Sequence, residues 1–536
     1  MKKDEESKPN VYLPLLLALV LIIGMFIGSK LKRSNDLSGG GHFFSSPDKL
    51  ETLLNIIESD YVDSVSKSAI IEKAIPVVLE NLDPHSVYLP PEEAQSLNEP
   101  LEGNFEGIGI EFNIQEDTIL VVNTINGGPS QKIGLLPGDR IVKVDDTIVA
   151  GIKITNQMVM KKLKGKGGTT VKVEIYRRSA KEKLTFEIVR GVIPIYSVDV
   201  EYEIKKDIGY IKINQFARTT YQEFEQAVDK LIEAGMTKLI LDLRGNGGGY
   251  LDAATEIADE FLPAGKLIVY TQGKKRPRTD YLATKKGKCE ETELVVLIDS
   301  WSASASEIVA GAIQDNDRGT IIGQRSFGKG LVQEPTDFSD GSSLRLTVAR
   351  YYTPTGRCIQ KSYKNGKHKY AEDIMDRYLH HEFDDKDSTK FDDSLKFKTP
   401  KGKIVYGGGG IMPDIFVPHD TTDYSPYYSK VNNKSLIYKF AMEYTDSKRS
   451  ILKEFKTYKE VENYLERQQI LQQFLNYSSK NGAAPTAKDL KASSRLIETQ
   501  IKAFICRNFF DNAGFYPVIH EIDPVMKKAV EFFSEQ

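Results

Sequence analysis

An uncharged run of residues stands out near the start of the chain. Residues 11–28 read VYLPLLLALVLIIGMFIG, which is 18 residues without a charged side chain. As a helix this run is about 27 Å long, close to the roughly 30 Å hydrocarbon core of a bilayer. It predicts an uncleaved, single-pass membrane anchor within residues 1–35. A cleaved signal peptide is the alternative, although no A-x-A-like cleavage site follows the run.

Apolar residues recur at helical spacing after a short glycine-rich linker at residues 38–44. Leu50, Leu53 and Ile57 follow this spacing, and the proline-rich sequence LDPHSVYLPP ends the pattern. We therefore predict a helical N-terminal region over residues 46–100. A helical hairpin packed on a later domain and a dimerisation arm both fit this periodicity.

Residues 101–190 alternate apolar and polar positions at the period of β-strands. Five short runs, IGIEFNI, TILVVNTI, DRIVKVDD, TVKVEIYR and KLTFEIVR, flank a helical stretch near residues 155–163. Several short strands with one or two small helices predict a compact, partly open β-barrel.

Strands and helices alternate over residues 191–420. The runs KLILDL and ELVVLID are typical of buried strands, and residues 220–235 form an amphipathic helical pattern that ends at a glycine. This alternation predicts an α/β layered core.

Two segments depart from that alternation. Residues 362–404 are polar and charged without a strong period, so we interpret them as an insertion in a loop. Residues 421–536 carry apolar helical faces, and we interpret them as an added helical C-terminal domain. The predicted fold class is therefore α/β and multi-domain, with helical regions at both ends.

Composition and charge exclude several classes of function. The chain has 72 Lys and Arg against 75 Asp and Glu, so its net charge of −3 gives no electrostatic case for binding nucleic acid. Its three cysteines, Cys289, Cys358 and Cys506, form neither a disulfide framework nor a CxxC metal spacing. The seven histidines make no HExxH-like pattern, so we predict neither a metal nor a cofactor.

The segment DSWSASASEIVAGAIQDNDRGTIIGQRSFGKGLVQ, residues 299–333, carries candidate chemistry. Its serine run follows a buried strand and opens a helix, where free backbone N–H groups stabilise developing negative charge. Serine needs a base, and Lys329 serves as one if burial lowers its pKa from about 10.4 toward about 7–8. The structural alternative is a helix N-cap with Glu307 in a capping box, and a surface turn at Lys329.

A second candidate site lies at the start of the β-rich region, in FEGIGIEF. Gly107 and Gly109 let backbone N–H groups turn toward a ligand carboxylate, and the adjacent strand edge accepts an extended peptide. Together with GLLPGDRIVKVDD (134–146), this sequence resembles a PDZ domain, whose peptide-binding residues would be Gly107, Ile108, Gly109 and Ile110. The alternative is that the two glycines only make a tight turn.

The chain as a whole resembles the C-terminal processing peptidases, also called tail-specific proteases. The matching motifs follow the family's order over roughly residues 46–420: LDPHSVYL, FEGIGIEF, LDLRGNGGGYLDAA, SASASEIVAGAIQD, FGKGLVQ, YYTPTGR and GGIMPDIFVP. The resemblance implies a serine protease with an inserted PDZ domain and a core related to the crotonase-type ββα fold.

The resemblance also implies roles for individual residues. The nucleophile would be Ser304, and the general base would be Lys329, which follows it by 25 residues as in the family. Gln333 matches a glutamine that orients the lysine in some members, and Asp315 matches an acidic position whose need varies among members.

The oxyanion hole implied by the family uses two backbone amides. One would be that of Ala305, and the other that of Gly247 or Gly248 in the glycine-rich loop. This chain has GGG where many members have PGG, so we expect a more mobile loop here.

Location, substrates and partners are likewise implied by the resemblance. Members act outside the cytoplasm and cleave proteins near an apolar C-terminus, while the PDZ domain captures or senses the tail and gates the active site. We therefore expect an inner-membrane protein with a periplasmic body and protein or peptide substrates. Association of copies through the N- or C-terminal helical regions is a further expectation, and the segments 362–404 and 421–536 depart from the minimal family.

Two other classes of function remain as alternatives. A non-catalytic PDZ adaptor would tether C-terminal tails at a membrane, but it has no reason to keep Ser304, Lys329 and Gln333 together. An acyl-CoA enzyme would share the crotonase-type core, but a PDZ domain gives no benefit to small-molecule chemistry.

Overall fold

A computed structural model describes most of the chain, in the ranges 18, 20–25, 49–178, 180–284, 287–389 and 391–535. Described residues up to Ile75 belong to one compact unit, and those from Pro76 onward to a second. The predicted anchor at residues 11–28 lies outside the described residues except at positions 18 and 20–25, and the linker at 38–44 lies wholly outside them. No helix within the described ranges is long and apolar enough to cross a membrane.

Helices make up most of the segment that precedes the β-rich region. Its elements are α1 (Lys49–Asp60), α2 (Lys67–Leu79), the short strand β1 (Val87–Leu89), α3 (Pro91–Glu102) and β2 (Asn104–Gly107). A proline opens α3, where the missing N–H costs nothing. Gly103 ends the helix in the left-handed region, at φ 78°, and donates its amide to the carbonyl of Pro100.

The β-rich region forms a small antiparallel sheet with two short helices. Its elements are β3 (Ile110–Gln115), β4 (Thr118–Thr124), α4 (Pro129–Lys132), β5 (Arg140–Val144), β6 (Thr147–Ile148), α5 (Asn156–Leu163), β7 (Thr170–Tyr176) and β8 (Leu184–Val189). The strand order is β3-β4-β5-β7-β8, so β3 lies at an edge. Its core consists of fully buried aliphatic side chains, including Ile119, Val121 and Val173.

A two-stranded ribbon marks where the chain enters and leaves this sheet. Strand β2 pairs antiparallel with β9 (Gly191–Pro194), the first strand after β8. Each of the five extended runs that the sequence predicts is a strand of the sheet between them, and Thr155 caps α5 by accepting from the amide of Met158.

The α/β region follows, and it is the largest part of the molecule. Its elements are β10 (Val198–Lys205), β11 (Ile208–Ile213), α6 (Thr220–Glu233), β12 (Lys238–Asp242), α7 (Leu251–Asp259), β13 (Leu267–Gln272), β14 (Thr279–Leu282), β15 (Glu293–Ile298), α8 (Ala305–Asp315), β16 (Thr320–Gly323), β17 (Leu331–Asp337), β18 (Ser343–Tyr352), α9 (Gly366–Leu379), β19 (Lys396–Lys398), β20 (Ile404–Tyr406) and β21 (Ile415–Phe416).

The main sheet of this region has the order β10-β11-β12-β15-β16-β21. All its neighbouring strands are parallel except the β10–β11 pair. Because parallel strands end at the same edge, the loops that follow β12 and β15 emerge side by side. A second sheet has the order β1-β18-β13-β14, with β17 also paired to β18.

Six α-helices and a short 3-10 turn at His520–Ile522 follow in the described residues up to 535: α10 (Pro426–Asn433), α11 (Leu436–Leu452), α12 (Tyr458–Arg467), α13 (Ile470–Lys480), α14 (Ala487–Ile519) and α15 (Pro524–Glu535). Helix α14 bends at Phe510 and Asp511, where the backbone angles leave the helical range. The last helix is not a separate addition, because Met526, Ala529 and Phe533 of α15 are buried in one cluster with side chains of the main sheet.

Helix α15 therefore covers one face of the main sheet, while α6, α7 and α8 cover the other. A parallel sheet needs apolar cover on both faces, and here the second layer comes from the C-terminal end of the chain. The multi-domain α/β class that the sequence predicts is confirmed, together with the helical character of residues 421–536.

The segment 362–404 contains more structure than the loop insertion that the sequence suggests. It holds α9, two short 3-10 turns and the strand β19, which pairs with β20. The two buried residues of α9 are Tyr370 and Arg377, both with polar groups. Because its inner face is polar, the helix lacks the apolar period by which amphipathic helices are recognised.

Candidate active site

The loops after β12 and β15 are joined by several hydrogen bonds. The hydroxyl of Ser302 donates to the carbonyl of Leu243 at 2.8 Å. The carbonyl of Asn246 accepts from the amide of Ala303 at 3.0 Å and from the hydroxyl of Ser306 at 2.9 Å. These bonds place the glycine-rich loop against the segment that carries Ser304.

Ser304 is the residue immediately before α8, and its backbone is strained. Its φ of 57° and ψ of −112° lie in a region that L-residues rarely adopt. The amide of Ser304 donates to Oε2 of Glu307 at 2.8 Å, which holds this conformation in place. The Ser304 side chain and Glu307 form a capping box, in which the serine oxygen faces the backbone amide of Glu307 as an acceptor.

Lys329 lies in the loop between β16 and β17, and the same Glu307 carboxylate holds that loop. Oε2 accepts from the amide of Lys329 at 2.9 Å, and Oε1 accepts from the amide of Gly328 at 2.7 Å and the hydroxyl of Ser326 at 2.6 Å. Because the amides of Ser304 and Lys329 share one oxygen atom, they lie within about 6 Å of each other.

The hydroxyl of Tyr351 is a second contact shared by Ser304 and Lys329. The hydroxyl of Tyr351 donates to the carbonyl of Lys329 at 2.5 Å and lies 3.1 Å from the carbonyl of Ser304. Tyr351 is buried, and burial followed by the charge of Glu307 raises the pKa of its hydroxyl well above the usual value. It therefore remains a neutral donor at any working pH.

The surroundings of Lys329 favour its neutral form. Burial lowers the pKa of its amine, the cation of Arg345 lowers it further, and the carboxylates of Glu307 and Asp83 oppose the shift. Within the described ranges the amine has no hydrogen-bonding partner. A general base needs an unprotonated nitrogen whose lone pair is free to accept a proton, and these surroundings favour that state of Lys329.

The segment LDPHS lies beside Lys329. Asp83 accepts from the hydroxyls of Ser86 at 2.6 Å and Thr347 at 3.0 Å. Burial, and then the charge of Lys329, lower the pKa of His85 to about 4, so this imidazole is neutral at physiological pH. The side chain of Gln333 donates to Thr347 at 3.3 Å rather than to Lys329, so it reaches the site only through Thr347 and Asp83.

The glycine-rich loop supplies amides near Ser304. Gly248 approaches so closely that a Cβ on it would lie 2.8 Å from the Cβ of Ser304, and its φ of 102° also favours glycine. Its amide, however, donates to Oδ1 of Asn246 at 2.8 Å. The amides of Gly247 and Ala305 have no acceptor in the described part of the chain, so they remain available to a ligand.

Asp315 lies at the other end of α8, about 15 Å along the helix from Ser304. Its buried carboxylate binds the guanidinium of Arg357 at 2.7 Å and the hydroxyls of Thr353 at 2.5 Å and Thr355 at 2.6 Å. The residue therefore holds the YYTPTGR turn in place and does not contact Ser304 or Lys329.

A charged network supports the start of the glycine-rich loop from the C-terminal helices. The guanidinium of Arg244 binds Asp242 at 2.6 Å and Asp523, at the start of α15, at 2.8 Å. Burial opposes ionisation of Asp242, but the charges of Arg244 and then Lys212 outweigh it and hold the pKa of that carboxyl well below its usual range. The site is thus linked to a segment outside the predicted protease core.

The four predicted PDZ residues join two strands: Gly107 ends β2, Ile108 and Gly109 form the connection, and Ile110 begins edge strand β3. The carbonyl of Ile108 accepts from the amide of Ser130 at 3.1 Å and from its hydroxyl at 2.7 Å. The amides of Ile108 and Gly109 have no acceptor among the described residues. Gly109 has a φ of 73°, a left-handed conformation that turns the loop and that side chains rarely tolerate.

Sequence reasoning missed Glu307 and Tyr351 as parts of the site. The sequence indicates for Glu307 only the third helical position of a capping box, and for Tyr351 only the first position of the YYTPTGR motif. The signal that could have identified Glu307 is a single acid in a run of small and apolar residues, three positions after the candidate nucleophile. Nothing local pointed to the hydroxyl of Tyr351, whose partners lie 22 and 47 residues away.

Comparison with known proteins defines the class. The sequence profile of peptidase family S41 matches residues 207–366, that of the PDZ domain matches 107–188, and a family of unknown function (DUF8443) matches 427–511. Over 309 residues the chain is 39% identical to a carboxy-terminal-processing protease of Bartonella bacilliformis, covering 57% of this chain and 70% of that protein. Over 315 residues it is 35% identical to the carboxy-terminal processing protease CtpA of Bacillus subtilis, covering 59% and 66%.

A solved structure of a photosystem II D1 C-terminal processing protease also matches, at 29% identity over 58% of this chain and 90% of that one. Its TM-score of 0.33 is too low to bear on the fold. The sequence matches make the chain a serine endopeptidase. It belongs to the carboxy-terminal processing protease family, whose members cleave proteins near the C-terminus.

The four hydrogen bonds to Glu307 lead to a test of its role. In Glu307→Gln only one of the two side-chain oxygens remains an acceptor, so two donors would face an NH2 group. We expect a lower free energy of unfolding, by roughly 1–3 kcal/mol for each unsatisfied donor, and a fall in kcat. Both are measured on the purified protein, by urea unfolding and by cleavage of an unstructured protein.

The matched control is Glu334→Gln, since Glu334 is a partly exposed acid that pairs with Arg276 at 2.6 Å. It should change stability by less than about 1 kcal/mol. A folded Glu307→Gln protein with the kcat of the unmodified chain would show that activity does not depend on this carboxylate.

Proposed function

We propose that Ser304 and Lys329 form a serine–lysine catalytic dyad. The observation that supports this most directly is the shared Oε2 of Glu307, which accepts from the amides of both residues. A serine hydroxyl and a buried amine with a lowered pKa thereby extend from backbones that one carboxylate holds together. This is the pairing of nucleophile and base that acyl transfer needs.

In the first step, neutral Lys329 accepts the proton of the Ser304 hydroxyl as the oxygen attacks a substrate carbonyl carbon. The carbonyl oxygen becomes an oxyanion, and the amides of Ala305 and Gly247 donate to it. We choose Gly247 over Gly248 because the amide of Gly248 already donates to Asn246. Because Gly248 has no side chain, the glycine-rich loop can lie close to Ser304.

In the second step, the protonated Lys329 gives its proton to the leaving nitrogen, and the peptide bond breaks. The new N-terminus departs and an acyl ester on Ser304 remains. Water then attacks the ester while Lys329 accepts its proton, and a second tetrahedral intermediate collapses to release the carboxylic acid and regenerate Ser304. Lys329 passes the proton it took from water to the departing Ser304 oxygen, so water replaces the proton that left with the amine and Ser304 and Lys329 return to their starting forms.

Three variants test the dyad on an unstructured protein with an apolar C-terminus. We expect Ser304→Ala and Lys329→Ala to lose at least about 1,000-fold in kcat, while Lys364→Ala, an exposed lysine, keeps it. Since only neutral Lys329 is a base, kcat/KM should fall as pH falls through the lowered pKa of Lys329. Full cleavage by either dyad variant would refute the assignment.

We also propose that the PDZ domain binds the C-terminal tail of the substrate. The unpaired amides of Ile108 and Gly109 suit a terminal carboxylate, and no described strand pairs with the outer edge of β3. A tail would therefore extend the sheet by one strand while its carboxylate binds the loop. Sensing of the tail would then couple binding to cleavage.

Tail binding is tested in the Ser304→Ala background, which prevents turnover. A labelled peptide with an apolar, free C-terminus should bind, and the same peptide with a C-terminal amide should bind at least about 10-fold more weakly. Ile110→Glu, at the start of β3, should weaken binding, whereas Ile148→Glu, at an isoleucine 62% exposed on the same domain, should not. Equal binding of acid and amide peptides would exclude carboxylate capture.

The membrane location stays a proposal that rests on the sequence of residues 11–28. We propose that this run anchors the protease in the inner membrane, with the body on the periplasmic side. The full chain should then stay in the membrane pellet after carbonate washing, while a chain that starts at residue 46 should be released. A full-length gene product whose mature N-terminus lies beyond residue 28 would instead identify a cleaved signal peptide.

A further inference from the structure

Helix α9, which lies within the segment 362–404, contacts the loop that carries Lys329. Arg377 of this helix is 2% exposed, and its guanidinium donates to the carbonyl of Ser326 at 2.8 Å and to that of Phe327 at 3.1 Å. Its charge is balanced by Asp373, one turn earlier on the same helix, at 3.0 Å. A buried cation therefore binds two successive peptide carbonyls just before Lys329.

A second contact joins the helix to the same loop. The ring of Tyr370 packs edge-on against that of Phe327 with 6.0 Å between the ring centroids. The hydroxyl of Tyr370 lies 2.8 Å from Nε2 of His85, which is itself beside Lys329. The amine of Lys361 stacks over both aromatic rings, at 3.8 Å and 4.2 Å from their centroids.

The two halves of the lysine loop are thus held in complementary ways. Glu307 accepts from the amides of Gly328 and Lys329, while Arg377 donates to the carbonyls of Ser326 and Phe327. One buried anion and one buried cation therefore fix four successive residues. Neither partner alone satisfies both the donors and the acceptors of the loop.

We propose that α9 positions Lys329 for catalysis and that Arg377 is the positioning residue through which it acts. The proposal rests on the role of Lys329 as the general base. Arg377 does not reach the reacting atoms; it acts by fixing the peptide backbone two and three residues before Lys329. The segment 362–404, most of which lies beyond the matched peptidase profile, would thereby be part of what makes this site active.

The choice of arginine has a physical reason. A planar guanidinium presents several donors in a fixed geometry and so binds two carbonyls at once, which a lysine amine does less well. Burial, and then the neighbouring cation of Arg325, lower the pKa of Arg377 to about 10, so the buried charge is costly. Because the guanidinium binds only backbone carbonyls and Asp373, we interpret its burial as serving to hold the loop.

We expect loss of Arg377 to change the pKa of Lys329 as well as the position of the loop that carries it. The charged and titratable groups that face Lys329 are Arg345 of β18, Glu307 of α8, and Asp83 and His85 of the segment before β1. These groups stay in place when Arg377 is replaced, so the main change is access of water. Because burial is the largest cause of the lowered pKa, a looser loop should raise the pKa of Lys329.

The experiment compares Arg377→Gln and Arg377→Lys with Lys369→Gln. Lys369 is on the same helix and pairs with Asp376 at 2.8 Å and with Glu372 at 3.9 Å on the exposed side, so the control loses the same charge and its two ion pairs. We expect Arg377→Gln to lower kcat by about 10- to 100-fold with little change in KM, since small misplacements of a catalytic group carry penalties of that size. The acid limb of the kcat/KM profile should move to higher pH, and Lys369→Gln should match the unmodified protein.

The kcat of Arg377→Lys should lie between that of Arg377→Gln and that of the unmodified protein, because lysine keeps the positive charge but not the planar arrangement of donors. It also keeps the test decisive if Arg377→Gln fails to fold. Thermal unfolding identifies the folded variants, and a folded Arg377 variant with unchanged kcat and an unchanged acid limb would overturn the proposal. A loss of stability with unchanged catalysis would likewise leave α9 a structural role only.

Lys329→Ala separates this proposal from the one on which it rests. If that variant keeps its activity, the assignment of the base is wrong and the positioning role fails with it. If Lys329→Ala is inactive while folded Arg377 variants behave like the unmodified protein, only the positioning role is wrong.

Discussion

A buried carboxylate, that of Glu307, accepts one hydrogen bond from the segment of Ser304 and three from the loop of Lys329. Burial raises the pKa of this acid above its usual value, and the four hydrogen-bond donors partly oppose that shift. The same negative charge acts on the amine of Lys329 and opposes the lowering of its pKa by burial and Arg345. The geometry and the basicity of the site therefore depend on one group.

The order of strands in the main sheet brings together the segments around Glu307. The serine and the glycine-rich loop meet because β12 and β15 are neighbouring parallel strands that end at the same edge. Asn246 then links the two loops through its carbonyl, which accepts from the amide of Ala303 and the hydroxyl of Ser306, while its side chain accepts from the amide of Gly248 within its own loop. The strained backbone of Ser304 is stable only because these contacts hold it from several directions.

Segments outside the matched peptidase profile reach the same site. Asp523 at the start of α15 binds Arg244, which precedes the glycine-rich loop, and α15 covers a face of the main sheet. Helix α9 binds the lysine loop on the side away from the amides that Glu307 holds. The candidate site therefore also has contacts with Arg377 of α9 and Asp523, both of which lie beyond the matched residues 207–366.

The sequence by itself determined the strands of the PDZ domain and core, the helix that starts after Ser304, and the pairing of Ser304 with Lys329 as a hypothesis. These follow from local periodicity and from motifs, which short stretches of chain carry in full. The partner of Gln333, the structural role of Asp315, the second function of Glu307 and the inner face of α9 were decided by tertiary structure. Each depends on contacts between residues far apart in sequence, and a polar helix such as α9 buries arginine and tyrosine only where the fold supplies carbonyls and rings to receive them.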